Sequence, residues 1–264
     1  MTGPNHDSSL KQQLHKMAWR LIHVLNGAGS QPVLNDEISA PVPEMPGQEL
    51  YRTAQELKAE AVDEQGRRVN YAALAEAECY QQLRRLTGAL SACRLQDLGD
   101  RDQRLAFWIN LYNALILDAI IRFQIGDRVP FRLFLKAAYE VCGYRFSADV
   151  IEHGVLRGNR PHPVYRLRML TPDDPRAATA IDPFDPRIHF ALNCGARSCP
   201  PIRFYIGDQI DQQLTQATAS FLQGGGAQVD LEQSTLRLSP IFKWYQHDFG
   251  GRKEMLNLVA SHLA

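Results

Sequence analysis

The run L-A-F-W-I-N-L-Y-N-A-L-I-L-D-A-I-I, residues 105–121, constrains this chain more than any other segment. A helix that is apolar nearly all round must be enclosed by the rest of the molecule. Asn110, Asn113 and Asp118 interrupt the run. It is too short and too polar for a bilayer span of about 20 residues. It is expected as a buried helix over 103–123. Buried amides cost free energy unless they are paired. Asn110 and Asn113 are therefore expected either to fix the path of loop backbone or to line a pocket, one of them as an orienting or oxyanion-stabilising group.

Composition excludes some function classes. The 264 residues are 45% hydrophobic and 22% charged, which suits a protein with a real core. Lys plus Arg and Asp plus Glu number 29 each, so no overall field draws the chain to nucleic acid or to an acidic membrane. One local basic stretch stands out: Arg157, Arg160, His162, Arg166 and Arg168. It reads as a solvated loop or as an anion-binding rim. The five cysteines are odd in number in a chain that is not small, so free thiols and a cytoplasmic setting are expected over a disulfide scaffold. Cys79 and Cys93 lie in apolar helical contexts and read as buried thiols. No signal peptide is expected from the first residues.

Along the chain, Leu10, Leu14, Met17, Leu21 and Leu25 recur at helical spacing and predict a helix over 9–25. Its basic face makes it either a packed helix or one that meets a surface or a protein partner. Residues 26–47 read as a linker, which divides the chain into an N-terminal extension (1–47) and a main domain (48–264). Asn70 is the expected cap of a helix. A helix is also expected within 131–139, a hairpin around Gly143, and a helix from a Ser147 cap to Arg157. An irregular excursion over 159–186 and a strand over 187–193 follow. The last elements expected are a helix over 206–222, a hairpin from 229–231 and 236–238, and a final helix opened by Ser239 and Pro240. The fold class expected is α+β: a mainly helical single domain around a small sheet, with an N-terminal helical extension.

The densest chemistry lies in D-P-R-I-H-F-A-L-N-C-G-A-R-S-C-P-P, residues 185–201. A cysteine beside a glycine at a strand-to-loop junction suits a nucleophile. On a strand, His189 would stand roughly 16 Å from Cys194, too far to act as its base. His153 is the better base, with Asp149 four residues back on the same helical face to orient it and Glu152 as the other candidate for that role. The rival use is a zinc site from His153, His189, Cys194 and Cys199, although the C-x-x-x-x-C gap is wide. The two-residue spacing of redox dithiols is absent, as are phosphate-binding glycine loops and G-x-S-x-G elbows.

Four motifs in order resemble the domain of unknown function 547 family: A-F-W-I-N-L-Y-N-A-L, D-V-I-E-H-G-V-L-R, the cysteine segment, and S-P-I-F-K-W-Y-Q-H-D-F. The resemblance runs from about 69 to 249 and implies no settled activity. It implies that Glu152 and His153 are site residues. Plant-like versions carry serine in place of Cys199, so the resemblance favours Cys194 as the acting thiol and weakens a required disulfide or zinc pair. The leading expectation is a cysteine hydrolase or acyltransferase. In it Cys194 attacks a carbonyl, His153 is the base, Asp149 or Glu152 orients it, and Asn113 or loop amides hold the oxyanion. Asn110, Arg187, His189, Asn193 and Ser198 are expected to line the substrate. No resident metal or cofactor is expected. The alternative is a non-catalytic binding or scaffold domain. The expected partner is a small-molecule or peptide substrate, with no nucleic acid, no membrane span, and a protein partner conceivable only through the N-terminal helix.

Overall fold

The structure is a computed structural model that describes residues 5–26, 32–36, 41–61, 63, 68–126, 129–195 and 199–263. Its elements in chain order begin with helices α1 (Asn5–Leu25), α2 (Pro46–Ala61), α3 (Tyr71–Glu76), α4 (Glu78–Ala89), α5 (Arg101–Arg122) and α6 (Leu133–Lys136). Strands β1 (Ala138–Val141) and β2 (Tyr144–Ser147) follow, then α7 (Ile210–Phe221), β3 (Ala227–Asp230), β4 (Thr235–Leu238), α8 (Pro240–Trp244) and α9 (Arg252–Leu263). The mainly helical α+β class holds. The strands form two separate antiparallel hairpins, with Ala138 opposite Ser147 and Ala227 opposite Leu238, rather than one sheet.

The apolar run is α5, and it is the axis of the core. Asp100 starts it by accepting from the Asp102 and Gln103 amides, while the Gln103 side chain accepts from the Asp100 amide. Every residue from 105 to 120 is buried. Length and composition alone would let Arg101–Arg122 cross a membrane, which corrects the reading that it is too short and polar. Burial of 89% of its apolar window makes it the core helix of this domain instead. Its polar groups are pegs. Asp118 accepts from the Tyr80 hydroxyl at 2.7 Å and the Tyr139 hydroxyl at 2.8 Å, which ties α5 to α4 and β1. Burial pushes the Asp118 carboxyl up from its ordinary value.

The stretch expected as a linker is anchored at its described middle. The Leu34 amide donates to Ala138 O at 2.8 Å. Asn35 bonds Thr87 O and both backbone groups of Glu140. Leu34, like Trp19 of α1, belongs to the main core. Cys93 and Cys142 are joined in a disulfide across 49 residues, which corrects the buried-thiol reading of Cys93; Cys79 is a free thiol but only half-buried, which corrects its burial. The hairpin turn at Cys142 and Gly143 uses two positive φ angles, 51° and 77°, as a two-residue turn of this kind requires.

Two segments that carry the site depart from the expected geometry. Val150–Leu156 is a π-helical turn, with the Arg157 amide donating to Glu152 O, and it opens where Ser147 Oγ accepts from the Val150 amide. Pro186–Phe190 is a 3₁₀ turn, not the strand expected over 187–193. Asp185 caps that turn through the Arg187 amide, Pro186 supplies the fixed φ of a first helical residue, and the Ala191 amide closes onto Ile188 O. A second, aromatic core of Phe190, Phe221, Phe242 and Phe249 holds this turn, α7, α8 and the segment after α8 together.

Candidate functional site

The π-helical turn, the loop at 161–166, the end of the 3₁₀ turn and α8 enclose a cavity of about 620 Å³. Asp149, Glu152, His153, His162, His189, Tyr112 and Tyr245 line it on the polar side, and the Cys194–Cys199 pair forms part of the wall. This size is within the usual range for small-molecule sites. Asp149, His153 and His162 are 3%, 3% and 1% exposed.

The hydrogen bonds fix which way each imidazole faces. His162 Nδ1 accepts from the Val164 and Tyr165 amides at 3.1 and 3.2 Å, so its proton sits on Nε2. His153 Nδ1 lies 3.1 Å from Arg157 Nη1. A guanidinium only donates, so Nδ1 accepts and His153 also carries its proton on Nε2. Burial pushes the His153 pKa well down, reinforced by His162, Arg157 and His189, so the ring is neutral near pH 7. Both Nε2 atoms lie near one carboxylate. His162 Nε2 is 3.5 Å from Asp149 Oδ2 and His153 Nε2 is 4.0 Å from Asp149 Oδ1. Among the described residues no group hydrogen-bonds Asp149 Oδ2 or His162 Nε2.

A second layer holds this one. Asp248 accepts from Arg157 Nε at 2.6 Å, Arg157 Nη2 at 3.0 Å and His189 Nε2 at 2.9 Å. Burial would raise its pKa, but the hydrogen bonds from His189 and Arg157 outweigh burial and hold it at about 2. Burial lowers the His189 pKa, which keeps that ring neutral, and it stacks on Tyr245 at 3.8 Å between centroids. Glu152 accepts from the Tyr245 hydroxyl at 2.6 Å and the Tyr112 hydroxyl at 3.3 Å. Burial drives both phenols above their ordinary pKa, so they remain donors.

The residues singled out from the sequence divide into two groups. Asp149, Glu152, His153, His189 and Cys194 meet around the cavity. His189 does so because the 3₁₀ turn, unlike a strand, swings it to Asp248. Cys194 is bridged to Cys199, which corrects the free-thiol expectation and removes both sulfurs from the proposed zinc set. Asn110 closes a pair of bonds with the Tyr205 backbone. Asn113 gives both amide hydrogens to Ala191 O and Arg203 O and accepts from the Asn193 amide. Asn193 bonds Pro200 O and the Gly195 amide, and Arg187 is clamped between Asp185 and Asp211. Those four bond protein groups rather than the cavity. Gly195 has φ of +78°, and a Cβ there would stand 2.7 Å from Ile120. Ser198 lies outside the described residues.

Sequence reasoning passed over Tyr112, Tyr245 and Asp248 and read His162 only as part of a basic run. Tyr245 and Asp248 sit in the S-P-I-F-K-W-Y-Q-H-D-F motif, which was legible as a unit without roles for its members. By distance alone, Asp149, His153 and His162 could hold a metal ion, since their ligand atoms lie within 4.8 Å of one another. The donor chemistry opposes it. A histidine on a metal gives its outer N–H to an acceptor. Here both outer nitrogens receive N–H groups, and the inner ones carry the protons a metal would displace.

Residues 95–222 match the model of a family described as protein of unknown function, DUF547. The match covers just under half of the chain, from before α5 to just past the end of α7, and the resemblance read from the motifs holds over that span. It takes in Asp149, His153 and His162, and stops before Tyr245 and Asp248. Neither the curated proteins nor the solved structures contain a match to the chain.

Proposed function

For a chain with this resemblance to a family of unknown function, we propose a hydrolase that attacks a carbonyl with water activated by a carboxylate. The observation that carries this reading is the 4.0 Å gap between Asp149 Oδ1 and the protonated His153 Nε2 on the cavity wall. Two groups so spaced can share one oxygen at about 2.8 Å from each. A water there accepts from His153 Nε2–H and donates to Asp149. Its oxygen attacks the carbonyl carbon as its proton passes to Asp149, and Asp149 returns that proton to the leaving group as the tetrahedral adduct collapses. His162 Nε2–H faces the other carboxylate oxygen and orients it. In this reading the imidazoles orient and the carboxylate is the base, the reverse of the order expected from sequence.

A second reading keeps Cys194 as nucleophile. It is favoured by the place of the Cys194–Cys199 pair in the same wall as the imidazoles. A dithiol reductant would deliver two electrons and two protons to the bond and free the Cys194 thiol. The two disulfides also favour an oxidising compartment over the cytoplasmic one expected.

One assay separates these readings. With both disulfides intact, the chain is expected to hydrolyse p-nitrophenyl acetate, and Asp149→Asn to slow it at least about 100-fold, the lower bound for general base catalysis. Turnover that appears only after reduction and is abolished by alkylation establishes the thiol reading instead. Turnover unaffected by Asp149→Asn contradicts the carboxylate base.

A further inference from the structure

The basic run over 157–168 is sorted by its partners. Arg157 is spent on Asp248, His153 and Pro161 O. Arg168 bonds Asn159 O, and Arg160 lies 4.0 Å from Asp248 and over the Phe184 ring. Arg166 is different. It is exposed, lines the cavity, and has no side-chain partner among the described residues. Its backbone is left-handed, with φ of +58°. For a non-glycine residue that conformation is costly, and such strain gathers at functional positions. The turn that imposes it, closed by the Arg166 amide onto His162 O, is also the turn whose amides set the His162 tautomer. Lys243 of α8 lines the same cavity, is exposed, and is equally without a partner among the described residues.

Apart from these two cations, the exposed residues of the cavity lining are apolar. Phe131, Val164 and Trp244 line it while 47%, 62% and 61% exposed. Large apolar side chains grouped at a cavity edge mark a binding surface. The floor carries two carboxylates, Asp149 and Glu152, and a neutral His153. A negative group is repelled from that floor and attracted to the rim, which fixes the direction in which a charged molecule enters.

We propose that the cavity takes an anionic amphiphile: a carboxylate or phosphate group held by Arg166 and Lys243 at the rim, with an apolar body along Phe131, Val164 and Trp244. This deepens the hydrolase reading by naming its substrate class, although the binding it describes is measurable without turnover. The source is a soluble acyl compound, not a bilayer.

The test is a titration of the full oxidised chain with decanoate below its micelle concentration and with decanol, followed by Trp244 fluorescence. Trp19 and Trp108 are buried and supply a steady background. Decanoate is expected to bind at least ten-fold tighter than decanol at low ionic strength, with the preference shrinking as salt is added. Arg166→Asn with Lys243→Gln is expected to cut the preference below two-fold and leave decanol binding within two-fold; asparagine tolerates the left-handed backbone. Equal binding of the two ligands by the unmodified chain overturns the proposal. So does a preference that survives the double substitution, or binding to phosphatidylglycerol vesicles without binding to decanoate. If hydrolysis depends on Asp149 and the preference is absent, only the substrate class fails. If the preference stands and Asp149→Asn has no effect on hydrolysis, only the mechanism fails.

Discussion

Replacing Asp248 by alanine strands a guanidinium. Arg157 is 4% exposed and gives two of its N–H groups to Asp248, and His189 gives a third bond. Removing one partner of a buried ion pair costs about 3–5 kcal/mol, because the remaining charge stays buried without compensation. For a chain of this size each kcal/mol lowers the melting temperature by roughly 2–4 °C, so the expected fall is about 6–20 °C. The pH dependence gives an independent check. The Asp248 carboxyl is held at about 2 in the folded chain against an ordinary 3.8. A depressed carboxyl contributes stability that is present above its unfolded pKa and lost as pH falls through the folded value. The contribution is roughly 2 kcal/mol, at 1.36 kcal/mol per unit, and it disappears between about pH 5 and pH 2. Thermal unfolding followed by circular dichroism across that window measures it. Asp248→Asn is expected to remove this part of the acid sensitivity while keeping the side chain's shape. A cost below about 1 kcal/mol for Asp248→Ala, or parallel acid curves for the unmodified chain and Asp248→Asn, would refute the reasoning.

The disulfides are expected to differ in weight. Closing 49 residues, Cys93–Cys142 stabilises by about 4 kcal/mol on chain entropy, whereas Cys194–Cys199 closes five and stabilises by about 2; denaturant unfolding of Cys93→Ala with Cys142→Ala against Cys194→Ala with Cys199→Ala reads the difference. Asn113→Ala leaves two carbonyls and one amide without their partner, with an expected cost of roughly 2–4 kcal/mol by the same measurement and a loosened 191–203 segment in hydrogen exchange.

What the sequence disclosed follows from how local each cause is. The enclosure of α5 was legible because an all-round apolar helix has one solution. The caps at Asn70 and Ser239 and the turn at Gly143 were legible because each rests on neighbouring residues. Helix α2 was missed, as was α9. The segment 187–193 misled because its apolar spacing fits a strand, while Asp185 and Pro186 just before it start a 3₁₀ turn. That error displaced His189 from Asp248. Glu152 and His153 were visible in one short motif. Their environment was not, since Tyr112, His162 and the Tyr245–Asp248 pair come from three other parts of the chain. The pairing of Cys93 with Cys142 was likewise a long-range fact, hidden in an odd count of cysteines.

The central claim is that two imidazoles with protonated Nε2 face Asp149 and leave it as the base. Long-range ¹H–¹⁵N correlation of the ring nitrogens, assigned through His153→Gln and His162→Gln, tests it most directly. At pH 7 both rings are expected to show a protonated Nε2 and an unprotonated Nδ1, with no change on addition of zinc. A protonated Nδ1 on either ring, or a zinc-induced shift of both, would contradict the account and reopen Asp149, His153 and His162 as a metal-binding trio.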